Sequence, residues 1–265
     1  MKHHPKKWST WVASKNVYLP GVQAIFESAQ TSCLIVGAAV FELYELQEWT
    51  PRLRRQTGDL DLSIGILSDS KSYESAKAIL ISTGYKQDAL HPYRYHPPQK
   101  IPGGQTYIDL LAHPTGPRNR AFEARQAMGG VGEDFSFEGI GFAEHAAYEL
   151  LPHIKVPNPL AFLFLKMVSY QKEPTVRIKD FADILECISG LVEKGTHFEM
   201  TGLWDQIHGL PEAAKLKAHL LEIANDSIRW DIDHIRSELL SRGFSDSFID
   251  ETFIQRVSDF NAYLE

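Results

Sequence analysis

Asp59 and Asp61 stand two residues apart in "DLDLSIGI", where Leu60, Leu62 and Ile64 alternate with Asp59, Asp61 and Ser63. A period of two is that of a strand with one apolar face, so both carboxylates point the same way. Two like charges side by side repel. Such a pair is tolerated at a solvated strand end, or where a hard divalent cation such as magnesium lies between the oxygens. Asp109 interrupts a second apolar run, "TYIDLLAHP". If that run pairs beside the first, Asp109 completes a carboxylate triad. Three carboxylates can hold two metal ions, one activating an attacking hydroxyl and one steadying a leaving pyrophosphate. The plainer alternatives are an acidic solvated edge and a lone surface aspartate.

Two further features carry chemistry. "IVGAAV" reads as a strand running into a helix through Gly37, Ala38 and Ala39. Gly37 allows a tight turn, and free N–H groups at a helix start can bind phosphate; simple packing by small residues explains the same sequence. Lys166 lies within the very apolar "LAFLFLKMV", and "RIKDFAD" supplies Asp180 and Asp183 on one helical face. A lysine there snorkels, pairs with Asp180, or reaches toward an anionic ligand. His91, His96 and His113 suggest a metal cluster, but the first two sit in a Pro-rich, surface-type loop.

The elements that must position these residues change character near residue 156. Before it, short strands alternate with helices: helix 20–30, strand 32–37, helix 38–47, the Asp59/Asp61 strand, helix 72–84, a turn-rich segment with one short strand, strand 106–114, and two strands within 134–150 as a hairpin. After it the pattern is helical: 158–171, capped by Asn158 with Pro159 in the first turn, then 177–190, 212–225, 227–242 and 247–264. The fold class expected is α+β, a small mixed β-sheet in an α/β domain over 1–155, followed by an α-helical domain over 156–265.

The 265 residues are 43% hydrophobic, enough to bury a substantial core, and the net charge of −7 argues against coating nucleic acid through bulk positive charge. Arg52, Arg54 and Arg55 still offer a local basic rim. The start "MKHHPKKWSTWV" lacks the apolar stretch of a signal peptide, and the longest apolar run is too short to span a bilayer. Cys33 and Cys187 sit far apart in apolar runs and read as buried free thiols. The expectation is a cytoplasmic protein with no membrane partner.

In combination, "GAA", "RQTGDLD", "FLKM" and "KDFAD" resemble the AbiEii-type nucleotidyltransferases of the polymerase-beta-like nucleotidyltransferase superfamily, which include toxins of bacterial toxin–antitoxin pairs. The resemblance covers about residues 20–190. It implies a magnesium-dependent nucleotidyltransferase that moves a nucleoside monophosphate from a triphosphate to a hydroxyl. The acceptor would be an RNA end, a protein side chain or a small molecule, as in antibiotic-type nucleotidyltransferases, and an antitoxin protein would be a partner. Carried over by position, Asp59, Asp61 and Asp109 would be catalytic and hold magnesium. Lys166 would contact the phosphates, with Gly37, Ala38 and Ala39 forming the nucleotide-binding turn, and Asp180 would stand near the reacting hydroxyl. The family usually has a second glycine and a hydroxyl residue where this chain has Ala38 and Ala39. That departure implies an alternative, a catalytically impaired chain that keeps the fold and acts as a binding or regulatory module.

Overall fold

The computed structural model describes residues 24–25, 32–46, 59–66, 71–99, 107–114, 121–130, 139–194, 202, 204–225 and 232–263. Most of the helix expected over 20–30, the arginines at 52, 54 and 55, the N-terminal histidines and the strand expected near 134–138 lie outside them. The chain is a mixed α/β protein that divides into two units. One comprises residues 1–46 and 57–157, the other 47–56 and 158–265.

Among the described residues, the first unit is built on a seven-stranded mixed sheet. Its strands are β1 (Cys33–Val36), β2 (Asp59–Ile66), β3 (Lys86–Gln87), β4 (Arg94–His96), β5 (Tyr107–Pro114), β6 (Ala147–Leu151) and β7 (Ile154–Pro157), in the order β3-β4-β5-β2-β1-β7-β6. β2 and β5 run parallel, and β1 lies antiparallel to β2 and parallel to β7. β1, "CLIV", is apolar at every position and buried throughout, as a strand covered on both faces must be. β2 is two-faced: Leu60, Leu62 and Ile64 are buried. Helix α1 (Val40–Leu46) follows β1, and α2 (Lys71–Ser82) packs on β2 through Tyr73, Ala76 and Leu80. The Tyr73 hydroxyl donates to the Leu110 carbonyl at 2.9 Å, which fastens α2 to β5 as well. Helices α3 (Ala121–Ala127) and α4 (Ile140–His145) also belong to the unit, with α4 against β5 and β7.

The hairpin expected within 134–150 is displaced. Ile140–His145 is helical, and the hairpin is β6 with β7, turning at His153. Among the described residues, Cys33 and Cys187 are both buried and unpaired, and burial pushes the Cys33 thiol up to about 12.

The second unit is helical: α5 (Pro159–Lys172), α6 (Ile178–Lys194), α7 (Pro211–Asn225), α8 (Ile232–Ser241) and α9 (Ile254–Tyr263), the last preceded by a π-helical segment at Phe248–Phe253. Asn158 caps α5 by accepting from the Leu160 N–H at 2.8 Å, with Pro159 at the first turn. α6 is amphipathic and packs against α5, α8 and α9. Among the described residues, no helix is long and apolar enough to cross a membrane.

Candidate carboxylate site on the central strands

The parallel register of β2 and β5 sets Asp61 opposite Asp109 and Asp59 opposite Tyr107. Strand alternation then puts Asp59, Asp61 and Ser63 on one face together with Tyr107, Asp109 and His113. β4 pairs antiparallel with β5 so that Arg94 stands opposite Asp109 on that face. The three aspartates expected to act together are therefore neighbours on adjacent strands. Asp59 and Asp61 are half-buried and Asp109 is buried.

Asp109 is not bare. Arg94 Nε donates to its Oδ1 at 2.8 Å and Nη2 to its Oδ2 at 2.9 Å, a two-pronged pair. The same guanidinium lies over the Tyr107 ring, 3.8 Å from its centre. The Tyr107 hydroxyl points to Asp59 Oδ2 at 3.3 Å, and burial, followed by the Asp59 charge, pushes that phenol up to about 12. One connected set thus runs Asp109–Arg94–Tyr107–Asp59. Among the described residues, no group of three or more His, Cys, Asp or Glu side chains is arranged to hold a metal ion by itself. Magnesium is commonly bound by one or two carboxylates plus substrate phosphates, and Asp59 with Asp61 fits that mode.

Gly37 closes the site from β1. Its φ is +71°, and a Cβ there would lie 1.6 Å from Asp61 Oδ2. The glycine is thus required where the aspartate sits. The turn that follows spends its groups locally: the Val40 N–H bonds Gly37 O at 3.3 Å and the Phe41 N–H bonds Ala38 O at 3.1 Å. Helix α1 has seven residues, and Ala39 is buried.

Further along the same face, Ser63 Oγ and His113 Nδ1 are 2.8 Å apart, both fully buried. His113 Nε2 is 3.1 Å from Glu144 Oε2, and Lys155 Nζ is 3.8 Å from Glu144 Oε1. Burial acts to raise the Glu144 carboxyl, but His113, the Ser32 hydroxyl and Lys155 together outweigh it and hold it at about 2. The three histidines do not converge. His91 and His96 both contact Asp88, at 3.2 and 2.9 Å; the His96 bond, followed by the backbone N–H groups of Leu90 and His91, holds its carboxyl well below the usual range.

Lys166 and Asp180 belong to the second unit, where they are paired. Lys166 Nζ donates to Asp180 Oδ1 at 2.7 Å and to Asp183 Oδ2 at 2.9 Å. Ser169 adds a bond to Asp180 at 3.0 Å, and Arg242 bonds Asp183 at 2.9 Å and Glu186 at 2.6 Å. Burial favours neutral Lys166, but Asp183 and Asp180 overcome it and raise its pKa; burial likewise works against charged Asp180, and Lys166 reverses that. Sequence reasoning missed Arg94, Ser63, Glu144 and Arg242. Only Arg94 had a signal, since a buried Asp109 needs a cation.

No family model, no curated protein and no solved structure matches this chain.

Proposed function

We propose that the protein is a magnesium-dependent nucleotidyltransferase whose site is the face carrying Asp59 and Asp61. The observation that supports this most is the meeting of Gly37, Asp59, Asp61 and Asp109 on adjoining strands, because three separate stretches of sequence supply one acidic patch. The reaction joins an acceptor hydroxyl oxygen to the α-phosphorus of a nucleoside triphosphate. The bond from that phosphorus to the β-phosphate bridging oxygen breaks, pyrophosphate leaves with the bond's electron pair, and the hydroxyl proton passes to solvent or a nearby base. A divalent ion held by Asp59 and Asp61 would supply charge neutralisation to the phosphates. The chain's own part is to align those two carboxylates on a rigid strand and to keep Asp61 seated over Gly37. The acceptor is an RNA end, a protein or a small molecule, and a role as the toxin of a toxin–antitoxin pair belongs to the same reading.

Titrating each nucleoside triphosphate with magnesium into the wild type and into Asp59→Asn/Asp61→Asn tests it. Binding by the wild type that the double variant loses is the expected result; equal binding by both removes the site assignment. A second reading, a binding or regulatory module on the same fold, is favoured by the turn at Ala38–Ala39, where the next two N–H groups are already spent. Turnover of any triphosphate by folded protein ends that reading.

A further inference from the structure

We propose that Arg94 takes the place of a second metal ion: the site binds one divalent cation at Asp59 and Asp61, while Arg94, anchored by Asp109, grips the polyphosphate directly. This rests on the nucleotidyltransferase reading and names how that site recognises its ligand.

Charge and geometry carry the inference. Asp109 has two carboxylate oxygens, and each is bonded to a different nitrogen of one guanidinium, at 2.8 and 2.9 Å. A divalent ion at Asp109 would have to share both oxygens with the guanidinium and sit against its permanent positive charge. The Asp109 side chain is 11% exposed, so the pair is little screened and its loss would strand a buried charge. The guanidinium is also held from below by the Tyr107 ring, whose hydroxyl reaches Asp59. Arg94 is thus fixed on two sides and linked to the carboxylate that would carry the ion. Its pairing with Asp109 uses two of the five N–H groups of a guanidinium, and the fork geometry of the others suits phosphate oxygens. The Arg94 side chain is 24% exposed, so this edge meets solvent. Asp109 is then a positioning residue that holds Arg94, rather than a metal ligand.

The test uses the full chain, manganese as the paramagnetic stand-in for magnesium, and inorganic tripolyphosphate as a ligand without a base. Spin-resonance titration at saturating tripolyphosphate should give one manganese ion per wild-type chain. Arg94→Ala, with its fold checked by circular dichroism, should weaken tripolyphosphate binding about tenfold or more. Arg94→Lys should restore part of that loss, since it returns the charge without the fork. Two ions on the wild type, or an Arg94→Ala chain with wild-type affinity, would overturn the inference while leaving the nucleotidyltransferase reading intact. Failure of the wild type to bind either tripolyphosphate or any nucleoside triphosphate would overturn both. Should Arg94→Ala not fold, the wild-type ion count alone still decides.

Discussion

The carboxylate of Asp61 occupies the space that a side chain on Gly37 would need: a Cβ at Gly37 would come within 1.6 Å of Asp61 Oδ2 and 3.0 Å of Asp61 Cβ. Val36, one residue earlier, is the register partner of Asp61, so the contact is set by the antiparallel ladder and not by a movable loop. A glycine far away in sequence thereby fixes where one carboxylate of the candidate site stands.

Gly37→Ala should therefore destabilise the first unit by about 2–4 kcal/mol, of which about 1–2 kcal/mol is the strain of alanine in the left-handed region. The remainder is the clash with Asp61. It should vanish in an Asp61→Gly background, leaving the strain alone. Urea denaturation of the four chains of that double-mutant cycle measures the coupling. Additivity of the two substitutions would mean that the contact carries no energy.

Much of the first unit was legible. The strict alternation in β2 fixed which residues share a face, and the same parity in β5 aligned Tyr107, Asp109 and His113 once the strands were adjacent. Three things were not. Helix α4 has six residues, too few for a 3.6-residue period to declare itself, so "IGFAEH" read as strand. β7 is four residues ending in Pro157, merged in sequence with the cap of α5. The partners of Asp109 and His113, Arg94 and Glu144, depend on register and on helix docking, and neither leaves a trace in local spacing. In the second unit, the pairing of Lys166 with Asp180 was foreseeable from a buried lysine needing a counter-charge, whereas Arg242 joins from a helix end whose position only tertiary packing determines.

Ser63→Ala should cost about 1–3 kcal/mol by leaving His113 Nδ1 without its hydroxyl in a fully buried position. Ser63→Ala with His113→Leu should recover part of that loss, because removing both partners leaves no orphaned polar atom on that side. Chemical denaturation of the single and double variants gives the comparison. A double variant weaker than the sum of its parts would show that the Glu144 contact, not the serine, is what His113 supplies.

Lys166→Met should destabilise the second unit by about 3–5 kcal/mol, the cost of leaving buried Asp180 and Asp183 without the ammonium between them. Arg242 still reaches Asp183, so Asp180 should bear most of the loss. Lys166→Met/Asp180→Asn should accordingly be more stable than Lys166→Met. Thermal denaturation decides. If Lys166→Met leaves stability unchanged but abolishes phosphate binding, the lysine is a ligand group and not a structural one.

Acid stability should depend on Glu144. Its carboxyl titrates at about 2 in the folded chain, against 4.5 as the ordinary value. A folded-state pKa below the unfolded one means that the unfolded chain binds the proton first as pH falls. The stabilisation is therefore complete above about pH 4.5 and drains away between there and about pH 2. The side chain is 16% exposed, so screening removes little, and the contribution is on the order of 2–3 kcal/mol. Glu144→Gln should be less stable than the wild type at neutral pH by about that amount, and its stability should fall less steeply from pH 4.5 to 2. Urea midpoints of both chains across that range provide the measurement. Parallel acid limbs would place the acid-sensitive group elsewhere, with Asp180 the next to test, since Lys166 holds its carboxyl below the ordinary value as well.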